Sequence, residues 1–195
     1  MKRVLSVLLA IGFTLSLSSC SSNDPLAEQF KQGDNKNYIA GDGSVTEFRD
    51  VATRKTGAAW SSKTAEGQTL RSSDLLGKVV VLNFWYAGCA PCRAETPDLD
   101  KIATKYASQN VVVVGVDLRD SAETALAFLR NRKISYPSVM DNESGDVVLA
   151  YTGIVTPDAV PTTLVLDTEG RVAARVIGRI EPSILETLIK AEVNR

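Results

Sequence analysis

The chain has 195 residues, 44% of them hydrophobic, and 22 Lys and Arg stand against 23 Asp and Glu for a formal net charge of -1. That length holds one domain plus a leader and a tether, and the balance, with no basic stripe, excludes a nucleic-acid-binding face. The absence of histidine excludes Cys-His and Ser-His-Asp catalysis and every His-containing metal site.

The chain opens on a short basic start, Met1-Lys2-Arg3, followed by an apolar stretch over residues 4–17 that is short for a membrane span. It ends in Leu17-Ser18-Ser19-Cys20, which resembles the bacterial lipoprotein signal. That resemblance implies cleavage after residue 19 and acylation of Cys20, and an anchored domain outside the cytoplasm, where disulfide chemistry has a use. A plain secretory leader or an uncleaved anchor is the alternative. Residues 20–44, rich in Ser, Asn, Asp and Gly, then form a lipidated flexible tether, and residues 45–195 the domain.

Within the domain, residues 45–48 are a first extended piece. Ala58 to Ser61 and Gln68 to Leu70 bracket Glu66-Gly67, which predicts a hairpin at the edge of the sheet, with Trp60 as a packing residue. Residues 73–77 make a turn. The run VVVLNFW, Val79 to Trp85, is apolar and β-branched, as a strand buried on both faces requires. A small-residue turn, Ala87-Gly88, follows. Cys89 and Cys92 come next, separated by Ala90-Pro91, and then a helical pattern with Leu99, Ile102 and Tyr106 on one stripe. Residues 111–116 predict a second buried strand and 117–120 a loop. A helix over 122–130 is expected to turn Ala122, Leu126 and Leu129 inward. Residues 137–140 are extended and 146–151 form a small helix. Strands over 162–166 and 172–177 are joined by Asp167-Thr168-Glu169-Gly170. A last helix, 181–193, has Ile184, Leu185, Leu188 and Ile189 apolar and Pro182 in its first turn. The order is β-α-β-α, an extra segment, then β-β-α. The two apolar strands joined by the cysteine-bearing helix form a right-handed parallel βαβ unit, and the last two strands an antiparallel hairpin.

The cysteine pair therefore sits where a buried strand hands over to a helix. A thiol reacts as its thiolate, and the unpaired N–H groups and dipole of a helix N-terminus favour negative charge. Cys89 is expected at the N-cap, exposed and activated, with Cys92 deeper and one turn on. Pro91 suits a first turn because its missing N–H would be unpaired there. Arg93 either favours the Cys89 thiolate by charge or is solvated. Trp85 is a core anchor, a wall beside the site, or both, and Tyr86 a substrate-facing candidate.

Order and motif together resemble the thioredoxin fold, and in detail its membrane-anchored branch, the TlpA/ResA/CcmG-like thiol-disulfide oxidoreductases. The residues that carry this are Asn83-Phe84-Trp85, Cys89-Ala90-Pro91-Cys92, Arg93, Glu95, Pro97 and Val160-Pro161-Thr162-Thr163. The resemblance implies an α/β fold with a central mixed sheet flanked by helices, an N-terminal β extension and a central insertion over about 121–155. It implies a redox disulfide between Cys89 and Cys92, no cofactor and no metal. It makes Val160-Pro161 a cis-proline platform against the pair, with Val160 backbone binding an extended substrate. It gives Glu95 proton exchange with the buried thiol, and a raised pKa. Pro97 matches a proline that kinks this helix. Gly88 departs from the family, which often has Trp there. Expected partners are protein thiols or disulfides, a membrane redox donor or acceptor, and the membrane itself through the anchor. The protein is expected to be a monomer.

The function implied is extracytoplasmic thiol-disulfide exchange, in the reducing direction, with apocytochrome c before haem attachment as a candidate substrate. An oxidase resembling DsbA is the alternative. A copper metallochaperone would use a wider cysteine spacing and a histidine. A peroxidase would carry Pro-x-x-x-Thr-x-x-Cys, which the chain lacks. A non-catalytic lipoprotein with a structural disulfide completes the alternatives.

Overall fold

The computed structural model describes residues 44–156 and 158–195. The leader, Cys20 and the tether up to residue 43 lie outside the described residues.

The strands are β1 (Val45–Glu47), β2 (Ser61–Lys63), β3 (Thr69–Arg71), β4 (Val79–Trp85), β5 (Val111–Asp117), β6 (Ser138–Met140), β7 (Thr162–Leu166) and β8 (Val172–Ile177). The helices are α1 (Ala90–Tyr106), α2 (Ala122–Arg132), α3 (Asp146–Ala150) and α4 (Pro182–Val193). Six strands form one mixed sheet in the order β1-β8-β7-β4-β5-β6. β4 pairs parallel with β5, from Val79 on Val111 to Trp85 on Asp117, and antiparallel with β7. All seven residues of β4 are buried, so the apolar run occupies the centre of the sheet. This is the thioredoxin-like arrangement.

One face of the sheet packs against α1 and α4 through Val79, Val81, Leu99, Ile102, Tyr106, Leu185 and Ile189. The other buries Val80, Leu82, Phe84, Val114 and Val116 with Trp60, Val147 and Tyr151. Both faces of β4 are thus dry, which is why its sequence does not alternate.

Three expectations need correction. The 58–70 hairpin is not an edge of the main sheet: β2 and β3 form a separate two-stranded sheet. It is moored to β6 by a single bridge between Thr64 and Val139 and by the Ser62 hydroxyl donating to Met140 O. The inward stripe of α2 is Ala125, Phe128 and Leu129, not Ala122, Leu126 and Leu129. The large ring of Phe128 packs on Trp85 and turns the helix by about one position. Ile184 of α4 is 38% exposed, because Leu185, Leu188 and Ile189 already fill the contact with the sheet. The central insertion is built into the fold. It supplies edge strand β6, parallel to β5, and α3, whose Val147 is fully buried.

At the end of the sheet away from the cysteines, Arg54 is buried and forks onto Glu192 at 2.7 and 2.8 Å and onto Asp167 at 2.9 Å. This ties the segment after β1 to the β7–β8 turn and to α4, and pairs three charges that could not be buried singly.

Candidate active site

α1 begins one residue after Cys89, and Cys89 is its N-cap, with extended backbone. Cys89 and Cys92 form a disulfide. Cys92 N–H donates to Cys89 Sγ at 3.2 Å, so the first-turn amide that would otherwise be unpaired already points at this sulfur. After reduction the same amide, with the dipole of a 17-residue helix behind it, faces the Cys89 thiolate. Pro91 lies in the first turn and Pro97 within the helix, where it withholds the N–H that Arg93 O would otherwise accept.

One expectation fails here: Cys89 is only 3% exposed, and Cys92 fully buried. The pair sits in an apolar cluster with Trp85, Ala87, Phe128 and Leu129, flanked by Tyr86 and Val160. The strand end that presents the motif continues into a loop folded back over it, since Cys89 N–H donates to Tyr86 O at 3.1 Å. The Val160-Pro161 peptide bond is cis. Cys89, Cys92, Trp85, Tyr86 and Val160, dispersed over 76 positions of sequence, thus meet in one place.

Trp85 is held from two sides. Its ring packs on Phe128 at 5.1 Å between centroids with the planes tilted by 40°, and its Nε1 donates to Ser138 Oγ at 2.9 Å. Gly115 makes this possible. A Cβ there would lie 2.7 Å from Ser138 Oγ and 2.8 Å from Trp85 Nε1, closer than real contacts allow. Gly115→Ala is therefore expected to break the Trp85–Ser138 bond and to lower stability by about 1–3 kcal/mol. A reduced urea midpoint together with altered tryptophan fluorescence checks this.

Tyr86 is half-buried beneath the Arg119 guanidinium, 4.5 Å above its ring centre. Gly88 lies against the same ring: a Cβ there would approach Tyr86 Cε2 to 3.2 Å. Tyr86 itself packs against the apolar cluster that holds the disulfide. Arg93 is exposed, as the solvated alternative requires. It donates to Ala87 O at 3.3 Å and lies 5.6 Å from the centre of the Phe128 ring, bracing the loop before Cys89.

Glu95, one helical turn beyond Cys92, is 1% exposed. Oε1 accepts from Asn83 Nδ2 at 2.7 Å and Oε2 from Ile180 N–H at 2.9 Å. Asn83 Nδ2 also donates to Thr163 Oγ1, so a polar chain crosses α1, β4 and β7 beneath the disulfide. Burial pushes the Glu95 carboxyl up to about 7, against the opposing pull of these two hydrogen bonds and of the Arg179 charge. The same buried negative charge, after burial itself, helps hold the nearby Tyr136 hydroxyl above its usual value.

Asn83, Ile180, Phe128 and the acids of the 117–120 loop were not legible as parts of the site. Asn83 alone carried a signal, as the one polar residue inside an apolar strand.

Residues 54–175 match the AhpC/TSA family. The chain belongs to that family. It lacks the family's peroxidatic string: Leu82 and Tyr86 stand where the Pro and Thr ahead of Cys89 would be. Over 147 residues it is 31% identical to the thiol-disulfide oxidoreductase ResA of Bacillus subtilis, covering 75% of this chain and 76% of that protein. Among solved structures, it is 27% identical to a secreted thiol-disulfide isomerase from Corynebacterium glutamicum, with a TM-score of 0.70 over 82% of this chain and 98% of that one. A DsbF homologue from Corynebacterium diphtheriae is also 27% identical, with a TM-score of 0.68 over 81% and 99%. This AhpC/TSA protein is an extracytoplasmic thiol-disulfide oxidoreductase of the TlpA/ResA/CcmG-like kind, acting on protein thiols.

Proposed function

We propose that the protein reduces disulfides in extracytoplasmic substrates, with Cys89 as the attacking sulfur and Cys92 as the resolving one. The observation that carries this is Cys89 at the N-cap of α1, bonded to Cys92, in one cluster with the residue before a cis-proline. The reduced Cys89 thiolate attacks a substrate sulfur, and the bond formed is a mixed disulfide as the substrate's other sulfur leaves as thiolate. Cys92 then loses its proton and attacks Cys89 Sγ. The second substrate sulfur leaves, the Cys89–Cys92 disulfide re-forms, and two electrons have passed to the substrate.

Glu95 takes the Cys92 proton. Its carboxyl, near half-ionised at neutral pH, is suited to accept and return one. Val160 and Pro161 form the platform along which an extended substrate lies, with Trp85 and Tyr86 beside it. Residues 1–19 are removed, Cys20 carries lipid, and the tether over 20–44 holds the domain, 45–195, as a monomer near the membrane, where a membrane redox partner recharges it. Apocytochrome c thiols awaiting haem are the substrate class favoured by the likeness to ResA.

The midpoint potential of the Cys89–Cys92 couple tests the direction. A value near thioredoxin's, about -270 mV, is expected, and a value near about -120 mV would make the protein an oxidase of secreted proteins instead.

A further inference from the structure

Three contacts join the segment after β5 to the loop that leads into Cys89. Leu118 N–H donates to Trp85 O at 3.1 Å. The Arg119 guanidinium covers the Tyr86 ring. Asp120 Oδ2 accepts from Ala87 N–H at 2.5 Å. Because Arg93 donates to Ala87 O, that residue is gripped at both ends of its backbone, by α1 and by the 117–120 loop.

Behind Asp120 stands Asp117, the last residue of β5 and fully buried. Its Oδ1 accepts the backbone N–H groups of Arg119 and Asp120 at 3.0 and 2.9 Å. Its Oδ2 is buried and accepts from no N–H or O–H group, and its one side-chain neighbour at hydrogen-bond range is the Asp120 carboxyl, with which it can bond only by way of a proton held between them. A bare carboxylate oxygen in that position is costly, and a second carboxylate beside it makes it more so. Other charges nearby do not neutralise Asp117. Arg119 is turned to Tyr86 and Asp158, and Arg93 to Ala87 and Phe128. The Asp141 carboxylate, at the end of β6, is spent on Val147 and Val148 N–H.

We propose that Asp120 is a positioning residue for the exchange reaction: it anchors the Ala87 amide, and so the loop that carries Cys89, while Asp117 keeps it in place by holding the one proton of the pair. Burial first, and the Asp120 charge after it, push Asp117 up to about 7, so that proton is held through the acidic and neutral range. Loss of the proton sets two negative charges against each other. It loosens Asp120 from Ala87 and adds a charge that opposes the Cys89 thiolate. The proposal rests on the reading of Cys89 as the attacking sulfur.

The test uses the reduced full chain in a Glu95→Gln background, which removes the other buried carboxyl of similar pKa. The rate of iodoacetamide labelling is followed against pH, with the labelled cysteine identified by mass spectrometry. Asp117→Asn is expected to abolish one inflection near neutral pH and to speed labelling of Cys89 about threefold on the rising limb, the equivalent of half a pKa unit. With Glu95 intact, Asp120→Ala is expected to slow disulfide exchange about tenfold, and Asp120→Asn, which keeps an acceptor oxygen for Ala87, to recover most of it. Labelling of Cys89 with superimposable profiles in the parent and Asp117→Asn, or unchanged exchange in Asp120→Ala, overturns the proposal alone. Labelling that falls first on Cys92 overturns the Cys89 reading and the proposal with it. Should Asp117→Asn fail to fold, the half-buried Asp120 and its two variants decide.

Discussion

Cys89→Ser is expected to abolish disulfide exchange, by at least about a thousandfold, because a hydroxyl at the N-cap gains no comparable ionisation from one amide and a helix dipole. Cys92→Ser should behave differently. The first attack survives, since Cys92 N–H still points at Cys89 Sγ. Resolution is lost, so the variant should accumulate as a covalent adduct with a substrate through Cys89. Non-reducing mass spectrometry of the two variants with a disulfide-bonded model protein separates them: adduct with Cys92→Ser, none with Cys89→Ser. The reverse pattern would make Cys92 the nucleophile, against its complete burial beneath Cys89. Equal activity of both with the wild type would reduce the disulfide to a structural staple.

The second large effect is on stability. Glu95 has an ordinary value of 4.5 and about 7 in the folded protein, the rise coming from burial. Between those values the native state holds a proton that the unfolded chain releases. Stability is therefore highest below about pH 4.5 and falls as pH rises through about 7, by about 3 kcal/mol for this group alone. Asp117, raised from 3.8 to about 7, adds a loss of the same sign over a similar window. Urea midpoints measured between mildly acidic and mildly alkaline pH should drift downward in the wild type. Glu95→Gln should flatten that drift, and adding Asp117→Asn should flatten it further. A wild-type midpoint that rises over the window would mean that Glu95 is an ordinary ionised acid held by Asn83 and Ile180. The same burial that destabilises the charged form poises the group to exchange a proton with Cys92.

Much of the chemistry was written locally. The buried strand, the small-residue turn and the two cysteines at helix spacing are near-neighbour patterns that placed the helix start, and together with the Val-Pro-Thr-Thr stretch they carried the family resemblance that implied the disulfide. The surroundings of the pair were less legible. Phe128 came inward because Trp85 receives it, and the helical spacing of α2 fits a stripe one position away equally well. The hairpin β2–β3 reads the same whether it edges the main sheet or stands alone, since its polar, exposed positions carry no face preference.

The sequence by itself determined that two sulfurs one turn apart would start a helix after a strand buried on both sides, because strand and helix periodicities and the needs of a helix N-terminus are settled over a few residues. Only the tertiary structure decided how deeply Cys89 is covered and which groups hold Glu95. It alone brought Asp117 and Asp120 behind the Cys89 loop. Those outcomes depend on sheet order, which sets Trp85 beside Asp117 across parallel strands and brings Ile180 under α1 from 85 residues away. No local pattern encodes a desolvation or a hydrogen bond made at that range.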